Sequence, residues 1–392
     1  MERNFALVVA QSLLSSFATS VFTILILWST ISITGSPLIT GIVSGLMVLP
    51  LAFNFMVGAI VDRTAHKNLM AAMATAMRSI AAMCIIVASV STSIPVSIAF
   101  LMASALTFGV TMDILAPVRL VWSKRFLRKQ VFLKGMSMMN MATRGSSLSG
   151  YLAAGLLASW SLSISATSVS LVYIISIVPI LLLPGEGEGV KPGETLIHSI
   201  REGARFMWSN RTVAEAISVF VAGAFLLGMS DSAFTVDIQA VFGLGASYLS
   251  FIFVLTSLGG IAGSAWVSGM KGKVGQTISA MYGIAAGVFS IIWYFHLPLV
   301  IIAGGFFLGL SSGIRSPVIV AVILGNVPEG KMGRVQGAMD TFGFSFNSVS
   351  GFLAGAIMAA SSPSDVYALI AFGLLLVILI LGGMKGIQEA VV

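Results

Sequence analysis

The sequence predicts an all-α membrane protein, with twelve transmembrane helices arranged as two pseudo-symmetric six-helix bundles. Three observations lead there. Of 392 residues, 57% are apolar and 9% charged, with a mean hydropathy of +1.02, whereas a soluble domain carries roughly 25% charged residues. The apolar residues form continuous runs of about 20 or more, long enough to cross the hydrocarbon as helices and without the alternation of barrel strands. Finally, the two halves of the chain match when slid by about 200 positions. The composition excludes a soluble enzyme, a nucleic-acid-binding domain and a disordered chain. One cysteine, Cys84, excludes a disulfide framework and a multi-cysteine metal site, and no cofactor or metal is expected.

Taken in order, the polar breaks bound spans at roughly 5–33, 37–61, 69–91, 96–122, 135–159, 164–184, 212–238, 247–269, 275–294, 298–325, 335–359 and 365–384. The first exceeds the h-region of a cleavable signal peptide, and no small-residue cleavage site follows it. The connections alternate in character. Even-numbered ones are basic: Asp62 to Lys67, Lys124 to Lys134, then Lys271 and Lys273, then Lys331 and Arg334. Odd-numbered ones, such as Thr34-Gly35-Ser36-Pro37 and Ser91 to Pro95, hold no Lys or Arg. The positive-inside rule therefore places both termini in the cytoplasm of a multi-pass cell-membrane protein. All 21 basic residues fall in cytoplasmic segments or spans. The net charge of +7 is thus a topology signal with some attraction to anionic lipid, and no nucleic-acid partner is expected.

The longest polar stretch, Gly185 to Arg211, divides the chain. The expected organisation is an N-terminal bundle over 1–184, a cytoplasmic linker over 185–211 and a C-terminal bundle over 212–392. Gly185 to Gly193 reads as a tether, while Thr195 to Trp208 has the spacing of an amphipathic surface helix. The internal repeat rests on two matched stretches. Gly109 to Val118 (GVTMDILAPV) aligns with Gly309 to Val318 (GLSSGIRSPV), and Ser147 to Ala153 with Ser348 to Ala354. Duplicated halves imply a substrate path between them and rocking between two access states.

At the second connection, Gly58, Asp62, Arg63 and Lys67 stand at the positions of a G-x-x-x-D-[RK]-x-G-[RK]-[RK] pattern, with Ala65 and His66 departing from it. This resembles the signature of the major facilitator superfamily, which implies a conformational latch at these four residues. Two further stretches, Thr34 to Pro50 and Arg201 to Trp208, look like the small-solute exporter branch that includes macrolide and siderophore efflux proteins. The antiporter signature of span five ends in Gly-Pro in that branch, yet Gly145 to Gly155 holds no proline. The direction of transport stays open on that account.

Ionisable groups at membrane depth are costly and mark functional positions. Asp113, Arg144, Asp231, Arg315 and Asp340 are the candidates for proton coupling or substrate binding. Asp113 is expected to pair with Arg144 in the first half, and Arg315 with Asp340 in the second. Each pair has two readings, a coupling site or a permanent ion pair that fixes helix packing. Asp231 has no basic neighbour in sequence and reads as a proton carrier, a binder of cationic solute, or an acid facing water. Asp237 reads as near-surface, and Arg78 as snorkelling to the headgroups. Met136, Met138, Met139 and Met141 read as helix packing, Trp28, Trp122 and Trp160 as interface anchors, and His198 and His296 as loop residues.

The function expected is secondary transport of a small molecule by one chain, coupled to protons and exporting drug-like or amphiphilic compounds. The nearest alternative is proton-coupled import of a nutrient. No P-loop is present, a channel lacks a filter-like sequence, and an intramembrane enzyme lacks a histidine at nucleophile depth, so no catalytic residue is assigned.

Overall fold

A computed structural model describes residues 3–64, 66–127, 131–184, 205–267, 273–328 and 332–389. In the first half, α1 (Arg3–Thr34) is followed by α2 (Pro37–Val48), a 3-10 turn (Leu49–Phe53) and α3 (Asn54–Arg63). Then come α4 (Lys67–Val90), α5 (Ile94–Phe126), α6 (Phe132–Trp160) and α7 (Leu162–Leu181). The second half holds α8 (Arg211–Leu227), α9 (Ser230–Val236), a π-helical turn (Asp237–Val241) and α10 (Ala246–Val267). It continues through α11 (Val274–Phe295), α12 (Pro298–Gly325), α13 (Met332–Ala360), α14 (Pro363–Gly382) and the short α15 (Lys385–Glu389).

Among the described residues, ten segments are long and apolar enough to cross a membrane, with Arg211–Val241 counted as one. The two remaining expected spans are also helical. One is α2 to α3, interrupted where Pro50 supplies no N–H to the helical ladder. The other is α6, 29 residues long, whose polar side chains include Asn140, Arg144 and Ser147. Ser36 starts α2 by accepting a hydrogen bond from Ile39 N at 3.3 Å, with Pro37 in the first turn. Residues 185–204 lie outside the described residues, and with them the tether and most of the expected amphipathic helix. So does 268–272, which includes Lys271 of the basic connection between α10 and α11.

Helices of one half pack mainly on one another: α1 on α6 and α7, and α4 on α5 and α7. The second half pairs α10 with α12 and α11 with α14. The halves meet along two seams, α2 with α13 and α6 with α10. Between membrane helices, small residues allow the close backbone approach that lipid-like side chains would prevent. Gly41 and Gly45, one turn apart on α2, face Gly351 and Gly355 on α13. A Cβ on Gly41 would lie 2.5 Å from Gly351 O, and one on Gly45 2.8 Å from Ser348 O. The same seam carries a hydrogen bond from Ser348 Oγ to Gly45 O at 2.8 Å. On the other seam, Ser247 Oγ donates to Gly155 O at 3.2 Å, and Gln239 Nε2 donates to Ser32 Oγ nearby. All three bonds sit toward the end of the bundle bearing the connections without Lys or Arg, called here the neutral end; the opposite, basic end carries Lys67, Lys124 and Arg125.

The internal repeat has a packing cause. Gly109 on α5 abuts the broken second span, with its Cβ position 2.6 Å from Met47 O and 2.8 Å from Pro50. Gly309 on α12 abuts Thr256 of α10 in the same way. Each marks a close helix crossing of its own half.

Candidate functional site

Halfway through the bundle, α1, α6, α10 and α12 enclose a cavity of about 380 Å³. It is lined by Ser16 of α1, by Thr143, Arg144, Ser147 and Tyr151 of α6, by Phe253, Thr256 and Ser257 of α10 and by Ser312 of α12. Residues 144, 147 and 151 share one face of α6 because they lie three and four residues apart. Tyr151 stacks on Phe253 across the seam, with centroids 5.4 Å apart. The pair stands on the neutral side of the cavity, below the Gly155–Ser247 contact.

The lining hydroxyls fall into two groups. Thr143 donates to Met139 O at 3.0 Å, Thr256 to Ile252 O at 2.8 Å and Ser312 to Gly309 O at 3.0 Å, each within its own helix. Ser16, Ser147 and Ser257 make no hydrogen bond to any described residue. Arg144 is exposed to the cavity and forms no ion pair among the described residues. Asp113, its expected partner, is carried by α5, and its side chain lies outside the described ones.

Asp231 lies in the first turn of α9 and is exposed. It too has no ion-pair partner among the described residues. It is not among the residues that line the cavity.

The second expected pair does not form. Arg315 is buried in its own half, with its guanidinium 4.6 Å from the centre of the Tyr282 ring and 3.5 Å from Ser311 Oγ. Asp340 accepts from Gln336 Nε2 at 2.9 Å on its own helix. The Tyr282 face and Gln336 supply what each was expected to find in the other.

Arg78 departs from the snorkelling expectation. It is 3% exposed and points into the first bundle, donating to Thr111 Oγ1 and O at 3.2 and 3.1 Å and to Ser15 Oγ at 3.1 Å. The faces of Phe108 and Tyr173 flank it. Arg119, which sequence reasoning did not single out, donates Nε to Gln11 Oε1 at 3.0 Å. Its Nη2 and the Gln11 Nε2 are buried donors without partners among the described residues.

A second cluster was also invisible in sequence. Asp237 is fully buried where the π-helical turn begins. It accepts from His296 Nε2, with distances of 3.0 and 3.2 Å to its two oxygens, and from the Tyr367 hydroxyl at 3.0 Å. Asp237 is thus not the near-surface residue expected, while His296 lies in the connection between α11 and α12 as expected but turns its ring onto Asp237. Trp122 and Trp28 are buried rather than interfacial, Trp122 donating to Asn68 Oδ1 at 2.8 Å; Trp160 alone of the three is exposed. In the signature stretch, the side chains of Gly58, Asp62 and Arg63 lie outside the described ones. Lys67 Nζ closes the turn by donating to Thr64 O at 2.6 Å.

Residues 8–351 match the family model described as Major Facilitator Superfamily. No curated protein matches the sequence. Solved structures share the fold at low identity. A mutant of the nucleoside transporter NupG superposes with a TM-score of 0.79 at 11% identity, covering 98% of this chain and 100% of that one. The peptide transporter POT in complex with sulfate gives 0.74 at 12% identity, over 99% and 96%. A POT family transporter in complex with 5-aminolevulinic acid gives 0.76 at 11%, over 99% and 97%.

Proposed function

Because the chain belongs to the Major Facilitator Superfamily, and is thereby a secondary transporter and not an enzyme, we propose that it carries a small organic solute in exchange for protons. One observation carries the reading: the cavity between the halves holds Arg144, which forms no ion pair among the described residues. Binding at the interface of two duplicated bundles is the geometry of alternating access. Asp231 is the proton carrier, an exposed acid of the seventh span with no ion pair among the described residues. Close glycine contacts at the neutral end seal one side, and the solute enters from the basic end, which faces the cytoplasm of the cell membrane. The stretches resembling efflux proteins support export. The Gly58, Asp62, Arg63 and Lys67 stretch serves as a latch between access states. One chain suffices, because its own four helices enclose the cavity.

A second reading, proton-driven import, is favoured by the polar lining, which suits a hydrophilic nutrient better than an amphiphilic drug. Purified protein in liposomes with an imposed pH gradient separates the two. Export predicts solute movement against proton flow, and import predicts movement with it. Asp231→Asn is expected to abolish gradient-driven accumulation while leaving solute counterflow. Accumulation by Asp231→Asn equal to that of the parent protein removes Asp231 from coupling.

A further inference from the structure

The cavity is unbalanced in charge and in hydrogen-bond donors. Arg144 is the one strong ionisable group among its lining residues. Twelve residues from the start of α6, it stands roughly 18 Å from the basic end, too deep for the guanidinium to reach bulk headgroups as a snorkelling side chain would. A cation at that depth calls for a partner, and no described residue supplies one.

The neighbouring hydroxyls point to what the partner is. Thr143, Thr256 and Ser312 spend their protons on carbonyls of their own helices. Ser147, on the Arg144 face of α6, keeps its proton free, as do Ser16 opposite and Ser257 on α10. The cavity thus presents a planar guanidinium fork and three free O–H donors. Carboxylate, phosphate and sulfonate oxygens fit such a set, because they accept several charge-assisted hydrogen bonds at once. An ammonium group does not.

We propose that the transported solute carries an anionic group seated on Arg144 and Ser147, with Ser16 and Ser257 completing its shell. The assignment rests on the transport reading above and names the substrate class of that same cavity. Asp231, the proton carrier of the transport reading, is not among the residues that line the cavity. With its proton on, Asp231 is neutral and does not oppose the anion. A cavity of about 380 Å³ stands at the small end of the usual 300–1,000 Å³ range, so the solute has the size of a metabolite.

The test pairs binding with transport. Purified protein in detergent is screened by thermal shift against gluconate, succinate, glycerol phosphate and ethanesulfonate, each beside a neutral amide or alcohol counterpart and a cationic amine. At least one anion is expected to raise Tm where its counterparts do not. Arg144→Gln should weaken that anion roughly 10- to 100-fold. Arg144→Lys, which keeps the charge and loses the fork, and Ser147→Ala, which keeps the fork, should each cost less. These two conservative variants decide the matter if Arg144→Gln does not fold. A neutral or cationic counterpart that binds as well as its acid overturns the proposal. So does unchanged anion affinity across all three variants, or a screen in which none of the four anions binds. Liposome uptake separates the two readings: anion binding without gradient-driven movement refutes the transport function alone, and movement of neutral or cationic solutes refutes the anion alone.

Discussion

Asp237 from the π-helical turn, His296 from the connection between α11 and α12 and Tyr367 from α14 meet at one fully buried carboxylate. The backbone of His296 is left-handed, with φ of 42°, a conformation that non-glycine residues adopt rarely. Its ring is thereby turned back onto Asp237. Replacing His296 with Phe removes a bond to a charged group and leaves the carboxylate on Tyr367 alone. The expected loss is about 1–3 kcal/mol, read as a lower Tm in detergent for His296→Phe against the parent. An unchanged Tm means the pair contributes nothing. This cluster was not legible in sequence, because Asp237 and His296 each stand near a span boundary and nothing local shows which way they turn. Most of the interior charges were legible, since at 9% charged residues an ion inside a span is conspicuous, yet Arg119 of the fourth span was missed. Their partners were not. Arg315 found an aromatic face and Arg78 a ring of hydroxyls and carbonyls, both of which satisfy a guanidinium without an acid.

At the scale of elements, the sequence located the spans to within a few residues because hydrophobic run length is set by bilayer thickness. It did not show that the second span breaks at Leu49–Phe53 or that the seventh divides around Gly228 and Met229. The α2–α13 seam makes a direct prediction. Val at position 41 would collide with the backbone of Gly351 and Gly355. Such overpacking costs about 1–3 kcal/mol, and here it falls on the contact between halves and spares the packing within each. Gly41→Val should therefore keep its folded yield on size-exclusion chromatography while transport in liposomes falls on the order of tenfold, because the neutral end no longer closes. Full transport by this variant removes the seam from the cycle. The repeated glycines had suggested duplication; their contacts add that Gly109 and Gly309 each stand at a close helix crossing of their half.

For the whole molecule, the alternation of basic and neutral connections gives an orientation that labelling can test. With Cys84 replaced by Ser, a cysteine at Ser93 should react with a membrane-impermeant maleimide added to intact cells, and one at Lys124 only after permeabilisation. The reverse pattern inverts the topology and with it the side from which the cavity fills. The sequence by itself determined membrane residence, the helical class, the two halves and the short list of buried charges. Each of these depends on composition or on spacing along the chain, which solvent and bilayer read locally. Tertiary structure alone decided which charges share a cavity, which turn into a bundle, and which hydroxyls keep a free proton. Those outcomes depend on how helices distant in sequence are rotated against one another, and a rotation of one helix by a single residue, about 100°, exchanges a cavity wall for a lipid face.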